Sequence, residues 1–259
     1  MEYEVITSAQ NPVVKLLASL QTRERRRAEG LFLLDGEKLV GEALRSGTEV
    51  RYLVFDQAHE ALAQSFPETV RRLCMPGRLI EKLSPSRTPQ GVHAAAAYRE
   101  RRLTEWTPGG QLVLLDRVQD PGNLGTVIRT AEALGFAGVV VSPDSADPYG
   151  PKAVRGSMGS VLRLPVFLGD TAGAVSQLQN ENYRVFAAVL NPDSLPVPEC
   201  GFDQRSAVLI GNEGNGLPAG LAKRCDGSVM IPMDGAAESL NASAAAAILM
   251  WEMRRQRGS

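Results

Sequence analysis

The sequence predicts an α/β protein in two parts, and three observations lead there. Short apolar runs alternate along the whole chain with amphipathic stretches of helical period. In the second half this alternation is stronger, and strands separated by helices imply a mostly parallel sheet with helices on both faces. Between the halves, the charged stretch from Arg99 to Glu105 gives way to Pro108-Gly109-Gly110, which breaks any regular element. The expected division is therefore a small α/β domain over residues 1–107 and a larger one over 108–259.

In the first part, Ser8-Ala-Gln-Asn-Pro starts a helix with Pro12 close to its first turn. Arg23-Glu-Arg-Arg-Arg follows as a charged helical stretch. Strands are expected at Leu31–Leu34, Val50–Phe55, Val70–Met75 and Gly91–Tyr98, with helices over Gly36–Arg45, Ala58–Phe66 and Gly77–Leu83. His93 falls inside the last strand with no second ligand near it and reads as a packed core residue. In the second part, strands are expected at Gln111–Asp116, Ala137–Val141, Leu164–Leu168, Tyr183–Val189, Ala207–Gly211 and Val229–Ile231. Helices are expected over Asn123–Leu134 and Ala172–Gln179, and from Asn241 onward.

Composition excludes several classes. At 259 residues, 44% apolar and 22% charged, the chain has a soluble globular composition and can bury a real core. No apolar run approaches the roughly eighteen residues that span a bilayer, and the acidic N-terminus lacks a signal-peptide core. Three widely spaced cysteines and two histidines make a structural zinc site or a Cys/His nucleophile improbable; reduced thiols in a cytoplasmic protein are expected. Net charge is −1, but residues 1–107 carry 16 Lys/Arg against 14 Asp/Glu, and the rest 12 against 15. The excess of positive charge sits in the first part, where Arg23, Arg25, Arg26 and Arg27 form a patch suited to phosphate oxygens, or else a solvated helix face. Arg155, in Lys152-Ala-Val-Arg-Gly-Ser, is a second basic candidate.

Chemistry is expected in three loops at strand carboxyl ends, where parallel sheets bind ligands. The first is Asp116-Arg-Val-Gln-Asp-Pro-Gly-Asn-Leu-Gly-Thr-Val-Ile-Arg-Thr, with Asp120 as N-cap and Pro121 at the first helical position. Asn123 and Arg129 project from that helix as an anion and hydroxyl clamp, or else as part of the cap and a surface arginine. The second is Gly211-Asn-Glu-Gly-Asn-Gly-Leu-Pro, whose glycines let the backbone approach a ligand. It contains neither a P-loop nor a dinucleotide fingerprint, and Glu213 is its lone carboxylate. The third runs from Ile231-Pro-Met through Glu238-Ser-Leu-Asn-Ala-Ser into an alanine-rich helix, with Ser239, Asn241 and Ser243 as three cap candidates where one would start the helix.

In their order and spacing these motifs resemble the SpoU (TrmH) branch of the SPOUT RNA methyltransferases over residues 111–255. Ser8-Ala-Gln-Asn-Pro and Phe32-Leu-Leu-Asp-Gly-Glu-Lys-Leu-Val are similar to the substrate-binding domain that often precedes it. The resemblance implies a deep trefoil knot, S-adenosylmethionine as cofactor, the ribose 2′-hydroxyl of RNA as acceptor, and a homodimer through the knotted domain. It maps the functional side chains to Asn123, Arg129, Glu213, Ser239 and Asn241, so that Ser239 and Asn241 face the reaction and Ser243 is left as the simple cap, and it maps the cofactor to Gly211, Asn212, Ile231, Met233 and Leu240. Large-subunit ribosomal RNA is the expected substrate. A tRNA enzyme, an antibiotic-resistance methyltransferase and a catalytically silent RNA-binding protein are the alternatives. From residue types and hydropathy, neither a metal nor a membrane is expected as a partner.

Overall fold

A computed structural model describes residues 3–83, 90–235 and 239–257. Ala236, Ala237 and Glu238 of the third loop lie outside the described residues, as do Met1 and Glu2. The chain divides into two compact units, Met1–Arg99 with Tyr149–Leu162, and Glu100–Pro148 with Arg163–Ser259.

The first unit runs β1 (Glu4–Val5), α1 (Pro12–Ser19), α2 (Arg23–Glu29), β2 (Leu31–Asp35), α3 (Glu37–Arg45) and β3 (Val50–Phe55), then α4 (Glu60–Gln64), β4 (Arg71–Cys74), α5 (Gly77–Ile80) and β5 (Val92–Ala97). Its sheet has the order β1-β4-β3-β5-β2, with β5 antiparallel to both neighbours. Leu17, Leu20, Leu31, Leu33, Val54, Leu73 and Ile80 fill one core. The helix expected over Ala58–Phe66 opens as a 3₁₀ turn at Gln57–His59, because Asp56 caps it and also holds His59 Nδ1 at 2.6 Å. His93 is fully buried, as expected of a core residue. Its Nε2 lies 3.2 Å from Asp35 Oδ1 without hydrogen-bond geometry. Burial pushes the imidazole down more strongly than Asp35 pulls it up, so the ring stays neutral.

The second unit runs β6 (Leu112–Leu115), α6 (Pro121–Ala133) and β7 (Gly138–Val141), and resumes after the excursion of α7 (Pro151–Ser157) into the first unit. It continues with β8 (Val166–Leu168), α8 (Thr171–Asn180), β9 (Arg184–Ala188), β10 (Leu195–Pro196), β11 (Ser206–Ile210), α9 (Ala219–Ala222), β12 (Gly227–Met230) and α10 (Ala242–Gln256). All seven strands are parallel, in the order β10-β12-β9-β11-β6-β7-β8. Every residue of β6, β7 and β11 is buried, as parallel strands covered on both faces require. Leu112, Leu114, Val140, Val185 and Leu209 pack with Ala174, Val175 and Leu178 of α8. Helix α10 packs on α6.

The expected division at residues 107 and 108 does not anticipate the return of Tyr149–Leu162 to the first unit. Aromatic packing explains it: Tyr149 stacks on Tyr98 at 4.2 Å, and Phe32 meets both rings edge-on. The pattern also misses β1 and β10, which at two residues each are too short to show a period, and the short helices α7 and α9. Cys200 and Cys225 are free thiols that burial pushes up to about 11, so both are protonated at neutral pH. Among the described residues no helix is long and apolar enough to cross a membrane.

Candidate active site

The three loops at the carboxyl ends of β6, β11 and β12 are stitched together by side chains. At the end of β6, buried Asp116 accepts from the Thr171 hydroxyl at 2.6 Å and from Arg117 Nε at 2.9 Å. Asp120 then caps α6, its Oδ1 accepting from the N–H groups of Gly122 at 2.6 Å and Asn123 at 2.9 Å, with Pro121 first in the helix.

From the glycine loop, Glu213 reaches the same corner. Its carboxylate accepts from Gln119 N–H at 3.0 Å, and from Asp120 N–H and the Asn123 side-chain amide at 3.1 Å each. Burial pushes the Glu213 carboxyl up, but donation from Gln119, Asn123, its own N–H and Asp120 outweighs it and leaves the group below its ordinary value. The N–H groups of Gln119, Asp120, Gly122 and Asn123 are thus all committed to protein carboxylates. An incoming phosphate finds those four backbone donors occupied, so an anion clamp on α6 has to come from side chains.

Asn123 turns its amide oxygen to the third loop. The Asn123 Oδ1 accepts from Asn241 Nδ2 at 3.1 Å, which ties α6 to the first residue before α10. Arg129 lies six residues further along α6, about 9 Å of helix rise. It is exposed and makes no ion pair among the described residues. Thr126 spends its hydroxyl on the Gly122 carbonyl at 2.9 Å.

The capping roles in the third loop are the reverse of those expected. Asn241 is the N-cap of α10, its Oδ1 accepting from Ser243 N–H at 2.9 Å, Ser243 Oγ at 2.7 Å and Ala244 N–H at 3.3 Å. Ser243 serves the cap and is not itself the cap. One amide thus does two jobs, since its carbonyl starts the helix while its N–H₂ reaches Asn123.

The glycine loop is tight for its own sake. A Cβ on Gly211 would lie 2.5 Å from the Gly216 carbonyl oxygen and the Leu217 nitrogen, so the close approach is of the chain to itself. Asn212 organises the turn: its Oδ1 accepts from the N–H groups of Gly214 and Asn215 at 3.0 Å each, and its Nδ2 donates to the Arg117 carbonyl at 2.8 Å. With its side chain occupied this way, Asn212 can serve a ligand only by shaping the loop.

Beside this network an open cleft of about 130 Å³ is lined by Ile231, Met233, Ser239 and Leu240, all singled out in the sequence, and by residues that were not. Leu190 follows β9, and Ala245 and Leu249 belong to α10. The rule placing ligands at strand carboxyl ends applies to β9 as to its neighbours and is the signal that could have found Leu190. Gln119 contributes through its backbone, which carries no side-chain signature.

The arginines of α2 divide. Arg26 is 4% exposed, and its Nη1 donates to the carbonyls of Leu20 at 2.8 Å and Gln21 at 2.9 Å at the end of α1. This corrects its assignment to an RNA-facing patch, because a guanidinium closing a helix terminus inside the unit has no free face. Arg25 is exposed and pairs with Glu29 at 2.9 Å. Arg23 is half-buried, and Arg27 is exposed. Arg155, on α7, is partly exposed and lies 3.9 Å from Asp35.

A parallel α/β unit carrying an apolar cleft and an Asn–Glu–Asn network at its strand ends is the kind of protein that binds a nucleotide-like cofactor there. Comparison with known proteins is specific. The SpoU rRNA Methylase family profile matches residues 110–251, and the MRM3-like substrate binding domain matches residues 11–94. The 23S rRNA (guanosine(2553)-2′-O)-methyltransferase RlmP of Bacillus subtilis (strain 168) is 34% identical, over 96% of this chain and 98% of its own. The 23S rRNA (uridine(2479)-2′-O)-methyltransferase of Streptomyces viridochromogenes is 33% identical, over 97% and 92%. The AdoMet-bound rRNA methyltransferase of Sinorhizobium meliloti superposes with a TM-score of 0.89 at 32% identity, over 98% of both chains. The chain belongs to the SpoU rRNA methylase family.

Proposed function

We propose that this protein, an S-adenosylmethionine-dependent RNA 2′-O-methyltransferase by family, modifies a ribose of large-subunit ribosomal RNA in the cytoplasm. The observation that carries the reading is the Glu213–Asn123–Asn241 chain of hydrogen bonds, which joins all three motif loops beside the apolar cleft. The relatives named above, both 23S rRNA 2′-O-methyltransferases, support the choice of RNA.

The cleft fits the cofactor's chemistry. Its walls of Ile231, Met233, Leu240 and Leu190 suit a flat heteroaromatic ring such as adenine, with Ser239 as a polar contact. At about 130 Å³ it is smaller than the roughly 300 Å³ at which pockets for whole ligands begin, so it houses part of the molecule and leaves the rest on its open side. S-adenosylmethionine, when bound, supplies an electrophilic methyl group.

The chain's own residues must align the 2′-oxygen and help it lose a proton. Glu213 orients Asn123, and Asn123 with Asn241 sets the floor against which the ribose is held. Arg129 binds the phosphate beside that ribose and stabilises charge developing on the oxygen. A guanidinium does not deprotonate in a protein, so the proton passes to a phosphate oxygen or water.

The first part, residues 1–107, is the RNA substrate-binding domain in this reading, and 108–259 the knotted catalytic domain. Arg23, Arg25 and Arg27 of the first part, with Arg155 on α7, are the phosphate contacts. Ile248 and Trp251 on α10, 41% and 59% exposed, are apolar side chains that a homodimer would cover. The deciding experiment maps 2′-O-methyl groups on large-subunit ribosomal RNA from cells with and without the protein, and repeats the transfer with purified components. One site lost in the deletion and restored in vitro is expected. An unchanged map together with no transfer to that RNA overturns the reading.

A further inference from the structure

Three non-glycine residues among those described have left-handed backbones: Arg117 (φ 54), Met158 (φ 51) and Asn182 (φ 60). Asparagine tolerates that region, and Met158 ends a helix, where a left-handed residue is common. Arg117 has neither excuse. It stands at the carboxyl end of β6, the strand that feeds Asp120 and Asn123 into the site.

The neighbours of Arg117 over-determine its conformation. Its N–H donates to Ser142 Oγ at 2.8 Å, and its carbonyl accepts from Asn212 Nδ2 at 2.8 Å. Its guanidinium Nε donates at 2.9 Å to Asp116, which the Thr171 hydroxyl holds from the other side. The next N–H, of Val118, donates to Ser145 Oγ at 3.1 Å. The loops after β7 and β11, together with the start of α8, therefore converge on this one corner. Immediately beyond it, Gln119 and Asp120 present their N–H groups to Glu213. Strain held in place by so many partners marks a turn whose geometry is used.

We propose that Arg117 is a positioning residue for methyl transfer: its guanidinium, fixed on Asp116, pins the left-handed turn that hands the Gln119 and Asp120 N–H groups to Glu213. The proposal rests on the reading that Glu213, Asn123 and Asn241 stand at the reaction centre.

The test measures kcat and KM on an in vitro transcript of large-subunit ribosomal RNA, and Kd for S-adenosylmethionine, in Arg117→Ala, Arg117→Lys and Glu213→Gln. Arg117→Ala is expected to lower kcat about tenfold, since small misplacements at a reacting centre are costly. KM and the cofactor Kd should stay within about twofold, because binding surfaces are untouched. Arg117→Lys keeps a cation against Asp116 and should recover most of the loss. Combined with Glu213→Gln, Arg117→Ala should add little, because both act through the same hydrogen bonds. Arg117→Asn accepts a left-handed backbone without supplying the cation, and it should show the same loss if the alanine variant is too unstable to assay. A kcat within about twofold of the parent in either variant, or a fully additive double variant, overturns the pin. If Glu213→Gln and Asn123→Ala both leave kcat unchanged, the reading of the reaction centre fails, and the proposal falls with it.

Discussion

Asn241 donates its side-chain amide to Asn123 across 118 residues of sequence, at 3.1 Å, while its own carbonyl oxygen caps α10. Because the cap fixes which end of the Asn241 amide faces the helix, it also fixes which end faces Asn123. Glu213 completes the polarity, since a carboxylate only accepts and so demands the N–H₂ of Asn123. Helix capping, a local matter, thus sets the orientation of a second side chain on a distant element.

Asn241→Ala is therefore expected to cost both stability and activity. Loss of an N-cap is worth about 1 kcal/mol, which lowers the melting temperature by roughly 2–4 °C in a protein of this size. Asn241→Ser restores the cap but cannot reach Asn123. Recovery of the melting temperature without kcat separates the two roles; equal recovery of both would show that capping is all Asn241 does.

The charge of Glu213 has a readable pH signature. Its folded value lies below the ordinary carboxylate value, because donated hydrogen bonds outweigh burial. Such a group contributes stability that is fully present above the ordinary value and is lost as pH falls through the lowered one. Melting temperature should stay level from neutral pH down to the ordinary glutamate range and fall only below it, and Glu213→Gln should remove part of that fall. A variant whose acid profile overlays the parent's would mean that other carboxylates carry the acid sensitivity.

Much of this architecture was legible from residue types and spacing. Asp120-Pro121 announced the start of α6, and the strand–helix alternation announced a parallel sheet, because both are local rules. Glu213 could be marked as the lone carboxylate of its loop, but its partners lie 90 to 94 residues away and two of them are backbone N–H groups. No spacing rule encodes such a meeting. Arg26 shows the opposite failure: four arginines in five residues read as one patch, although the geometry of α2 turns one of them inward onto carbonyls at the end of α1. The return of Tyr149 to the first unit was hidden for a similar reason, since ring stacking leaves no periodic trace.

That division of the arginines predicts two classes of variant. Arg26→Ala leaves the Leu20 and Gln21 carbonyls without their donor and should destabilise by about 1–3 kcal/mol, with little change in the salt dependence of RNA binding. Replacing Arg23, Arg25 and Arg27 together should leave the melting temperature nearly unchanged and reduce the slope of log affinity against log salt by up to about 3. Filter binding across a salt series, alongside thermal melts, checks both. An unchanged slope in the triple variant would remove α2 from the RNA surface.

Arg129 is tested by its replacement rather than its removal. As a phosphate clamp it can be partly replaced by lysine, at the cost of the guanidinium's two-pronged geometry, so Arg129→Lys should retain about a tenth of kcat and Arg129→Ala much less. The pH–rate profile of Arg129→Lys should keep the parent's shape. A new basic limb in the lysine range, with most activity restored, would favour direct proton abstraction over the clamp.

Gly211 separates two explanations of a glycine-rich loop. If the missing side chain made room for a ligand, Gly211→Ala would weaken cofactor binding and leave folding alone. The geometry says otherwise, because the new Cβ would lie 2.5 Å from the Gly216 carbonyl oxygen and the Leu217 nitrogen, both backbone atoms that no rotamer change can move. The turn closed by Asn212 N–H to the Gly216 carbonyl, and by Gly216 N–H to the Asn212 carbonyl, must open to admit it. Asn212 and Glu213 move with the turn, so the grip on Gln119, Asp120 and Asn123 loosens as well. Gly211→Ala should therefore destabilise the fold by an amount typical of overpacking, about 1–3 kcal/mol, seen as a lower melting temperature, and lower kcat in the same variant. Gly214→Ala, at a position where the nearest atom is the Asn212 side-chain oxygen 3.7 Å away, should do neither through packing. A Gly211→Ala protein that melts with the parent and has only a weakened cofactor Kd would return the loop to a ligand-shaped role.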